Sequence, residues 1–303
     1  MFQVDLPVLL IGFNRPDMIK QSLDNLREQH VQNLYISIDG PRPTYDDDVR
    51  RVNEVRTIVK GIDFCPNVHL LLREQNVGCE INVSEGIKWV LEDEEFVIVL
   101  EDDVIAHESF FRFMQEMLIR YADNREVAMV SGSNYTPIEF PNKEDYCFCQ
   151  SGHTGGGWAT WKRVWKDFDL NEVINSEYLK TDFLRSVSVN HAMAKRRKRC
   201  YRKMQRAGAG HSTWDTMFSY FRVTRRMLSV VPKSHLTSNI GLFGLHYSGM
   251  GKGLMMKIDE GFRVRKHPEY VKWNREYDQY HYEHYLKESL LHKVMRRVKK
   301  IID

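Results

Sequence analysis

Short apolar runs alternate with helical patterns along the N-terminal third of the chain. Runs of this length that end at turn-forming or charged residues are typical of strands buried on both faces. The four runs lie at 7–13, 34–39, 68–73 and 96–100. Between them, apolar residues recur every three or four positions, which predicts helices that begin at Pro16 and cover 50–60 and 83–91. This alternation predicts an α/β fold with a doubly wound, mostly parallel sheet.

The pattern becomes less regular beyond residue 104. We predict a helix over 110–121, a strand over 127–133 and a glycine-rich turn at 155–157, followed by a mixed α+β half. The last residues are typical of an amphipathic helix, because an apolar stripe from Leu286 to Ile302 is opposed by lysines and arginines on the other faces.

The composition excludes an intrinsically disordered chain, because 42% of the 303 residues are hydrophobic and can fill a core. The net charge is only +3, yet Lys195 to Arg206 contains eight basic residues and no acidic one. The positive charge is therefore local and predicts an anionic partner at one place. No zinc finger, RNA-recognition signature or row of aromatic residues accompanies this basic run, so nucleic acid is an unlikely partner.

Two further observations concern the compartment. The five cysteines are odd in number and contain no CxxC pair, which favours a reducing environment. No stretch approaches the roughly 18 apolar residues that span a bilayer, and the N-terminus lacks the pattern of a signal peptide. We expect a cytoplasmic protein. The basic run and the C-terminal helix favour peripheral contact with an anionic membrane, although a solvated helix face and packing on the domain explain them equally simply.

Three carboxylates, Glu101, Asp102 and Asp103, directly follow the fourth predicted strand. Such oxygen ligands suit Mg²⁺ or Mn²⁺ that bridges a diphosphate. A solvated acidic turn is the simpler explanation for an arbitrary acidic triplet, but ligands of α/β sheets bind at the carboxyl ends of the strands. Asn14-Arg15 and Asp39-Gly40 also follow strands, so we expect all three groups to converge on one edge of the sheet.

These residues resemble the metal-dependent glycosyltransferases of the GT-A fold, whose Asp-x-Asp or Glu-Asp-Asp signature holds a nucleotide-sugar through Mn²⁺. Within that group the chain is most similar to the N-acetylglucosaminyltransferase I type and to bacterial transferases like it. The resemblance covers roughly residues 5–245. The matching segments, in family order, are 7–15, 34–40, 97–115, 155–165 and 213–221.

The resemblance implies a role for each residue of the expected site. Arg15 and Asp39 would contact the diphosphate and the uracil or ribose, although a surface arginine and a turn-forming aspartate are the plain alternatives. Asp103 would bind the metal, Asp102 the ribose, and Glu101 the sugar or a metal-bound water. The candidates for nucleotide-sugar binding are Asn14, Arg15, Asp39, Glu101, Asp102, Gly157 and Trp158.

The acceptor side requires a base for the attacking hydroxyl. Asp215 matches the catalytic aspartate of the resembled family, and an acidic residue that stabilises a helix N-terminus is the alternative. Gly155 to Trp158 would let the backbone approach the sugar and place Trp158 or Trp161 against it, unless they form an ordinary turn beside core tryptophans. His246 is a second candidate metal ligand, and 239–257 is the expected closing loop.

Together these features predict an inverting glycosyltransferase of Rossmann-like GT-A architecture. It would use Mn²⁺ or Mg²⁺ and move a sugar, with N-acetylglucosamine as one candidate, from a UDP-sugar to a saccharide or glycolipid hydroxyl. A sugar-phosphate nucleotidyltransferase, and a non-catalytic membrane-surface or nucleic-acid-binding module that uses 195–206, remain as alternatives. The expected parts are a nucleotide-sugar-binding subdomain (1–135), an acceptor-binding and catalytic subdomain (136–257) and a helical tail (258–303).

Overall fold

A sheet of eight strands forms the centre of the computed structural model, which describes residues 2–208, 213–241 and 258–287 and the backbone of 243–244 and 247–248. The strand order is β3-β2-β1-β4-β8-β6-β9-β7. The strands are β1 (Val8–Gly12), β2 (Asn33–Ile38), β3 (Asn67–Leu72), β4 (Phe96–Glu101), β5 (Val104–Ala106), β6 (Val127–Ser131), β7 (Tyr146–Cys149), β8 (Trp158–Trp161), β9 (Leu228–Pro232), β10 (Thr237–Asn239), β11 (Phe243–Gly244) and β12 (Tyr247–Ser248).

Helices flank this sheet. They are α1 (Pro16–Glu28), α2 (Asp46–Lys60), α3 (Gly78–Asp93), α4 (Glu108–Arg120), α5 (Lys162–Trp165), α6 (Phe183–Ser186), α7 (His191–Ala207), α8 (Trp214–Thr224) and α9 (Arg275–His281). Short 3₁₀ turns lie at Pro141–Lys143 and Glu177–Leu179, and a π-helical turn, Tyr282–Leu286, follows α9. The mixed α/β architecture with a mostly parallel N-terminal half is the predicted GT-A arrangement.

The predicted N-terminal alternation is confirmed. Strands β1 to β4 are parallel, and β1 is buried along its whole length. In α1 the helical stripe of Ile19, Leu23 and Leu26 is buried. The second helix begins at Asp46, four residues before its predicted start, because three aspartates occupy its first turn, where negative charge is favourable.

The second half of the chain extends the same sheet. Strand β8 lies antiparallel between β4 and β6, while β9 and β7 complete the other edge. Strands from both sides of residue 135 therefore share one sheet, and the proposed division at 135 and 257 remains a prediction. Residues 258–287 pack on this half, where the carboxylate of Asp278 accepts the backbone N–H groups of Gln150 and Ser151 at 2.8 and 2.9 Å. The predicted C-terminal helix falls mostly outside the described residues.

Gly40, after β2, gives a test of the close packing next to the site. A Cβ at this position would overlap the main-chain carbonyl of Gln75 and lie 2.7 Å from its Cα. Because this neighbour is backbone, Gly40→Ala should lower the free energy of unfolding by about 1–3 kcal/mol, measured by urea denaturation. Gly61→Ala is the matched control, since the nearest atom to its Cβ would be the Ile58 carbonyl oxygen at 3.5 Å, an ordinary van der Waals contact. Equal stability of the two variants would contradict the described contact.

Candidate active site

The charged residues that follow β1 and β4 meet at the carboxyl edge of the sheet. The two strands are parallel neighbours, with Ile11 opposite Glu101. The guanidinium of Arg15 donates two hydrogen bonds to the carboxylate of Asp102, of which the one from Nε is 3.2 Å long, and its Nη1 donates to Asp103 Oδ2 at 3.0 Å. The predicted convergence of Arg15 with the acidic triplet is therefore present.

Negative charge exceeds positive charge at this edge. Burial, followed by repulsion from Asp103 and Asp102, raises the pKa of Glu101 to about 8. Burial also raises the pKa of Asp102 to about 6, although Arg15 opposes that rise. Burial alone would lower the pKa of Arg15, but the two aspartates raise it above its ordinary value. The single positive charge of Arg15 thus neutralises only part of the negative charge of the triplet, so the site would attract a further cation.

Asp103 is also covered by the segment that follows β10. Asn239 Nδ2 donates to Asp103 Oδ1 at 3.1 Å, and the backbone N–H of Ile240 donates to the Asp103 carbonyl at 2.8 Å. A Cβ on Gly241 would collide with the Asp103 carboxyl group, so glycine is needed for this approach. The predicted closing loop therefore begins in contact with the predicted metal ligand, while His246 lies outside the described residues.

The donor set fits a hard divalent cation. Mg²⁺ and related ions prefer oxygen ligands and commonly use one or two carboxylates, with phosphate and water as the others. Asp103 offers carboxylate oxygens that now accept N–H groups, and Glu101 lies beside it. No three metal-binding side chains converge within the described part of the chain. A metal here would therefore take several of its ligands from substrate and solvent.

Asp39 is close to the site but is already occupied by backbone donors. Its carboxylate accepts the N–H groups of Gly40, Val77 and Gly78 at 2.8–3.0 Å and the Nδ2 group of Asn76 at 3.0 Å. Burial raises its pKa, and these hydrogen bonds oppose the rise. Asp39 thus satisfies orphan N–H groups where α3 begins and orders the turn at the end of β2.

Asn14 points to a different partner. Its Nδ2 donates to Asp48 Oδ1 at 2.6 Å, and Asp48 also binds Arg42. The hydrogen bond from Arg42 lowers the pKa of Asp48 to about 2; burial opposes this shift, and the hydrogen bond from Asn14 adds to it. Asn14 therefore connects the end of β1 to the first turn of α2, and no hydrogen bond joins it to the acidic triplet among the described contacts.

Cys79, in the first turn of α3, lies within electrostatic range of several carboxylates of the site, and sequence reasoning did not find it. Burial, followed by the charges of Glu101, Asp215, Asp39 and Asp102, raises the pKa of its thiol to about 12. Carboxylates from three separate parts of the chain therefore influence the charge of this one side chain. The sequence indicates Cys79 only by its position at the start of the helix that follows β3.

Asp215 occupies the first turn of α8 and is exposed. Its Oδ1 accepts the backbone N–H of Thr216 at 2.7 Å, as the helix-terminus alternative predicts. Asp215 also repels the charged form of Glu101, so it lies within electrostatic range of the acidic triplet. It is in addition the only carboxylate among the described residues that line a cavity of about 330 Å³ between α7 and α8. Both interpretations of this residue are thus compatible with its position.

The tryptophans after the glycine-rich turn lie in the core, contrary to the expectation that they face a sugar. Trp158 is 1% exposed and stacks on Trp214, with ring centroids 5.4 Å apart and an interplanar angle of 20°. Trp161 is equally buried, and its Nε1 donates to the Leu118 carbonyl at 2.9 Å. Gly157 adopts a φ of 72°, and its carbonyl accepts the N–H of Gly132 at 2.9 Å. These residues position β8 and α8.

The basic run forms most of α7, and much of it is engaged within the protein. Arg197 is buried, and its Nη1 donates to Gln150 Oε1 at 2.8 Å and to the Val187 carbonyl at 2.7 Å. Three further basic side chains of the run donate to backbone carbonyls: Arg196 to Leu286, Lys198 to Thr181 and Arg202 to Leu179. A binding module that uses the whole run as a free cationic face is therefore incompatible with α7.

Within the described residues, no helix has both the length and the apolar character needed to cross a membrane. No curated protein matches the sequence.

Several solved structures resemble part of the chain. A mannosyltransferase from Pyrobaculum calidifontis, solved in complex with GDP-mannose and Mn²⁺, is 15% identical with a TM-score of 0.34, over 55% of this chain and 47% of that one. A cytidylyltransferase from Leptospira borgpetersenii is 9% identical with a TM-score of 0.34, over 55% and 64%. A 4-diphosphocytidyl-2C-methyl-D-erythritol synthase from Anaerococcus prevotii is 14% identical with a TM-score of 0.33, over 59% and 79%.

The chain thus spans about half the length of the mannosyltransferase. Similarity at this level does not distinguish a glycosyltransferase from a nucleotidyltransferase. The family comparison favours a glycosyltransferase, because residues 8–147 match the model of glycosyl transferase family 2. The matched segment contains β1 to β4, Arg15 and the acidic triplet. Residues 8–147 therefore resemble the glycosyl transferase family 2 model, and together with the mixed α/β sheet this match supports a glycosyltransferase of the GT-A fold.

Proposed function

We propose that this protein is an inverting, metal-dependent glycosyltransferase. It transfers a sugar, with N-acetylglucosamine as the first candidate, from a UDP-sugar to a hydroxyl group of a saccharide or glycolipid. The observation that carries the proposal is the meeting of Arg15 with Asp102 and Asp103 at the carboxyl edge of the sheet, within electrostatic range of Asp215, in a chain that matches the family 2 model. A nucleoside diphosphate with a divalent cation would suit this site, because the carboxylates would hold the metal and Arg15 would face the phosphates.

The donor lies along this edge in the proposed complex. Asp103 would hold the divalent cation, either Mn²⁺ or Mg²⁺, and such a cation would neutralise charge on the departing diphosphate. Arg15, already directed at the same carboxylates, supplies a second cation for that charge. Asp102 binds the ribose and Glu101 the sugar. Asp39 contributes by ordering the turn before α3, and the backbone at Gly157 lies next to the donor sugar.

Asp215 is the proposed base. Its carboxylate takes the proton of the acceptor hydroxyl while that oxygen attacks the anomeric carbon and the nucleoside diphosphate leaves. One displacement inverts the configuration at that carbon. The exposure of Asp215 and its place within electrostatic range of the acidic triplet and in the lining of the 330 Å³ cavity support this role, because the base must contact both substrates.

The acceptor side faces α7 and α8. A lipid-linked acceptor would bring the enzyme to an anionic membrane surface, and exposed basic side chains of α7, such as Lys195, contribute to that attraction. The C-terminal stripe from Leu286 onward remains a predicted second contact.

UDP together with Mn²⁺ should raise the melting temperature of the protein. Ligand at 100 times its Kd stabilises the folded state by about 2.7 kcal/mol, which corresponds to a rise of several degrees, measured by differential scanning fluorimetry. Asp103→Asn should remove the metal-dependent part of this rise because it removes the proposed ligand. Asp63→Asn is the matched control, since Asp63 forms only an exposed ion pair with Arg27 among its described contacts.

A protein that shows no rise with any nucleoside diphosphate, with or without metal, would not be the enzyme we propose. A screen of nucleotide-sugars for slow hydrolysis identifies the donor and distinguishes the reaction classes. A glycosyltransferase releases a nucleoside diphosphate from a nucleotide-sugar, whereas a nucleotidyltransferase releases pyrophosphate from a nucleoside triphosphate and a sugar phosphate. Pyrophosphate release would overturn the proposal.

A further inference from the structure

The cavity between α7 and α8 has properties that donor binding does not explain. We call it the acceptor-side cavity; its described lining comes from the segment after β7 (150–155), from α7, from the first turns of α8 and from His281 and Leu286. Its volume of about 330 Å³ is sufficient for a small ligand. Asp215 lines it and lies within electrostatic range of Glu101, so a ligand bound there would lie next to the proposed base.

Positive charge predominates in this cavity. Arg196, Arg197 and Arg222 line it, against Asp215 as the single carboxylate of its described lining. The buried carboxylate of Asp278 interacts with the charge of Arg222, but it is engaged by the N–H groups of Gln150 and Ser151 and by Trp273. The cavity thus carries uncompensated guanidinium charge.

The histidines of the cavity do not add to this charge. Burial, followed by repulsion from His281 and Arg222, lowers the pKa of His153 well below its ordinary value. Burial likewise lowers the pKa of His281 to about 4. Both rings are therefore neutral near pH 7 and each can offer one N–H group. Cys200 and Tyr201 are the other titratable side chains of the lining.

Unpartnered polar atoms also concentrate here. Seven buried side-chain nitrogen or oxygen atoms lack a hydrogen-bond partner within the described part of the chain, and four belong to this lining. The four are Ser151 Oγ, His153 Nε2, Arg222 Nε and His281 Nδ1. Arg222 is 4% exposed and His281 3% exposed, so bulk water does not satisfy these groups. Each such atom costs about 1–3 kcal/mol unless a ligand or an ordered water pairs with it.

We propose that the acceptor-side cavity binds an oxyanion of the sugar acceptor, a phosphate or a carboxylate group. Arg222 Nε, Arg196 and the Ser151 hydroxyl donate to that anion, and the hydroxyl that becomes glycosylated then lies at Asp215. Arginine and hydroxyl donors match the acceptor-only oxygens of such a group. This inference rests on the proposed glycosyltransferase function and names the chemical class of its acceptor.

Binding of three monosaccharides to the full chain tests the inference. Glucose 1-phosphate and glucuronic acid carry the two anions, and glucose is the neutral control; EDTA and constant ionic strength exclude metal-dependent binding at Asp103. We expect calorimetric titration to detect one or both charged sugars and not glucose. The charged sugar that binds identifies the anion of the acceptor. Binding of neither charged sugar, or equal binding of glucose, would overturn the inference.

Matched variants locate the bound anion. Ser151→Ala and Arg196→Gln should each raise the Kd of the charged sugar about 10-fold or more, because each removes a donor to an anion. Ser151→Ala should fold normally, since its hydroxyl has no hydrogen-bond partner among the residues that the structure describes. Lys203→Gln removes an exposed charge of α7 outside the described lining and should leave the Kd unchanged. Loss of binding in Asp103→Asn with retention in Ser151→Ala would place the anion at the donor edge and overturn the inference.

The same samples separate this inference from the proposed function. If UDP with Mn²⁺ stabilises the protein but no charged sugar binds, the acceptor inference fails and the donor proposal stands. If a charged sugar binds with the expected variant pattern but no nucleoside diphosphate does, the anion site stands and the glycosyltransferase proposal fails.

Discussion

Replacement of Asp215 by asparagine should lower the rate of sugar transfer by about 10²- to 10⁴-fold, the usual contribution of a general base. Asparagine keeps the shape of the side chain but cannot accept the proton of the acceptor hydroxyl. Donor binding should persist, because the hydrogen bonds of Arg15 with Asp102 and Asp103 do not involve Asp215. The measurements are single-turnover transfer from the nucleotide-sugar identified in the hydrolysis screen and the thermal shift produced by UDP with Mn²⁺.

The control for Asp215→Asn must account for the interaction of Asp215 with its own helix. Asp46 is also an exposed aspartate in the first turn of a helix, α2, so Asp46→Asn removes a comparable helix-terminus charge away from the acidic triplet. It should cost no more than about 1 kcal/mol of stability and leave transfer unchanged. If Asp215→Asn transfers sugar at the rate of the unsubstituted enzyme, Asp215 is a helix-stabilising residue and the base lies elsewhere.

Much of the N-terminal half could be predicted from the sequence because its order is set by local patterns. Val8–Gly12 is buried throughout, as its continuous apolar run indicates, and the carboxyl ends of parallel strands share one edge. That rule was sufficient to bring Arg15 to the acidic triplet. The rule does not specify that Arg15 pairs with Asp102 and Asp103, because that contact depends on β1 and β4 being neighbours in the sheet although they are not consecutive in the chain.

The remaining features depend on contacts between distant segments. Strand β8 runs antiparallel between β4 and β6, and no local pattern near Trp158 indicates this placement. Arg197 lies in a run that looks like a charged surface, yet Gln150 and Val187 from other segments bury and bind it. The acceptor-side cavity likewise arises where α7, α8 and the 150–155 segment meet, so its unpartnered atoms have no sequence signature.

Truncation of Trp158 tests its assignment to the core. Trp158→Ala should lower the free energy of unfolding by about 3–5 kcal/mol, the usual cost of removing a buried aromatic side chain. Trp158 is 1% exposed and contacts Trp214, Trp165 and Phe218 with ring centroids 5.4–6.0 Å apart. Urea denaturation measures this loss. Trp89→Ala is the control, since Trp89 is only partly buried and should cost less.

The milder Trp158→Phe separates a core role from direct sugar binding. Because Trp158 stacks on Trp214, and Trp214 precedes Asp215 in the first turn of α8, a smaller ring should shift the proposed base without touching the donor. We therefore expect a reduced kcat with an unchanged KM for the nucleotide-sugar, together with a smaller loss of stability than in Trp158→Ala. A raised donor KM in a variant of undiminished stability would instead place the Trp158 ring against the sugar. For that outcome the Trp158 side chain would have to face the donor, although it packs against Trp214 of α8 in this structure. The result would therefore contradict both the core packing of Trp158 and its role in positioning Asp215.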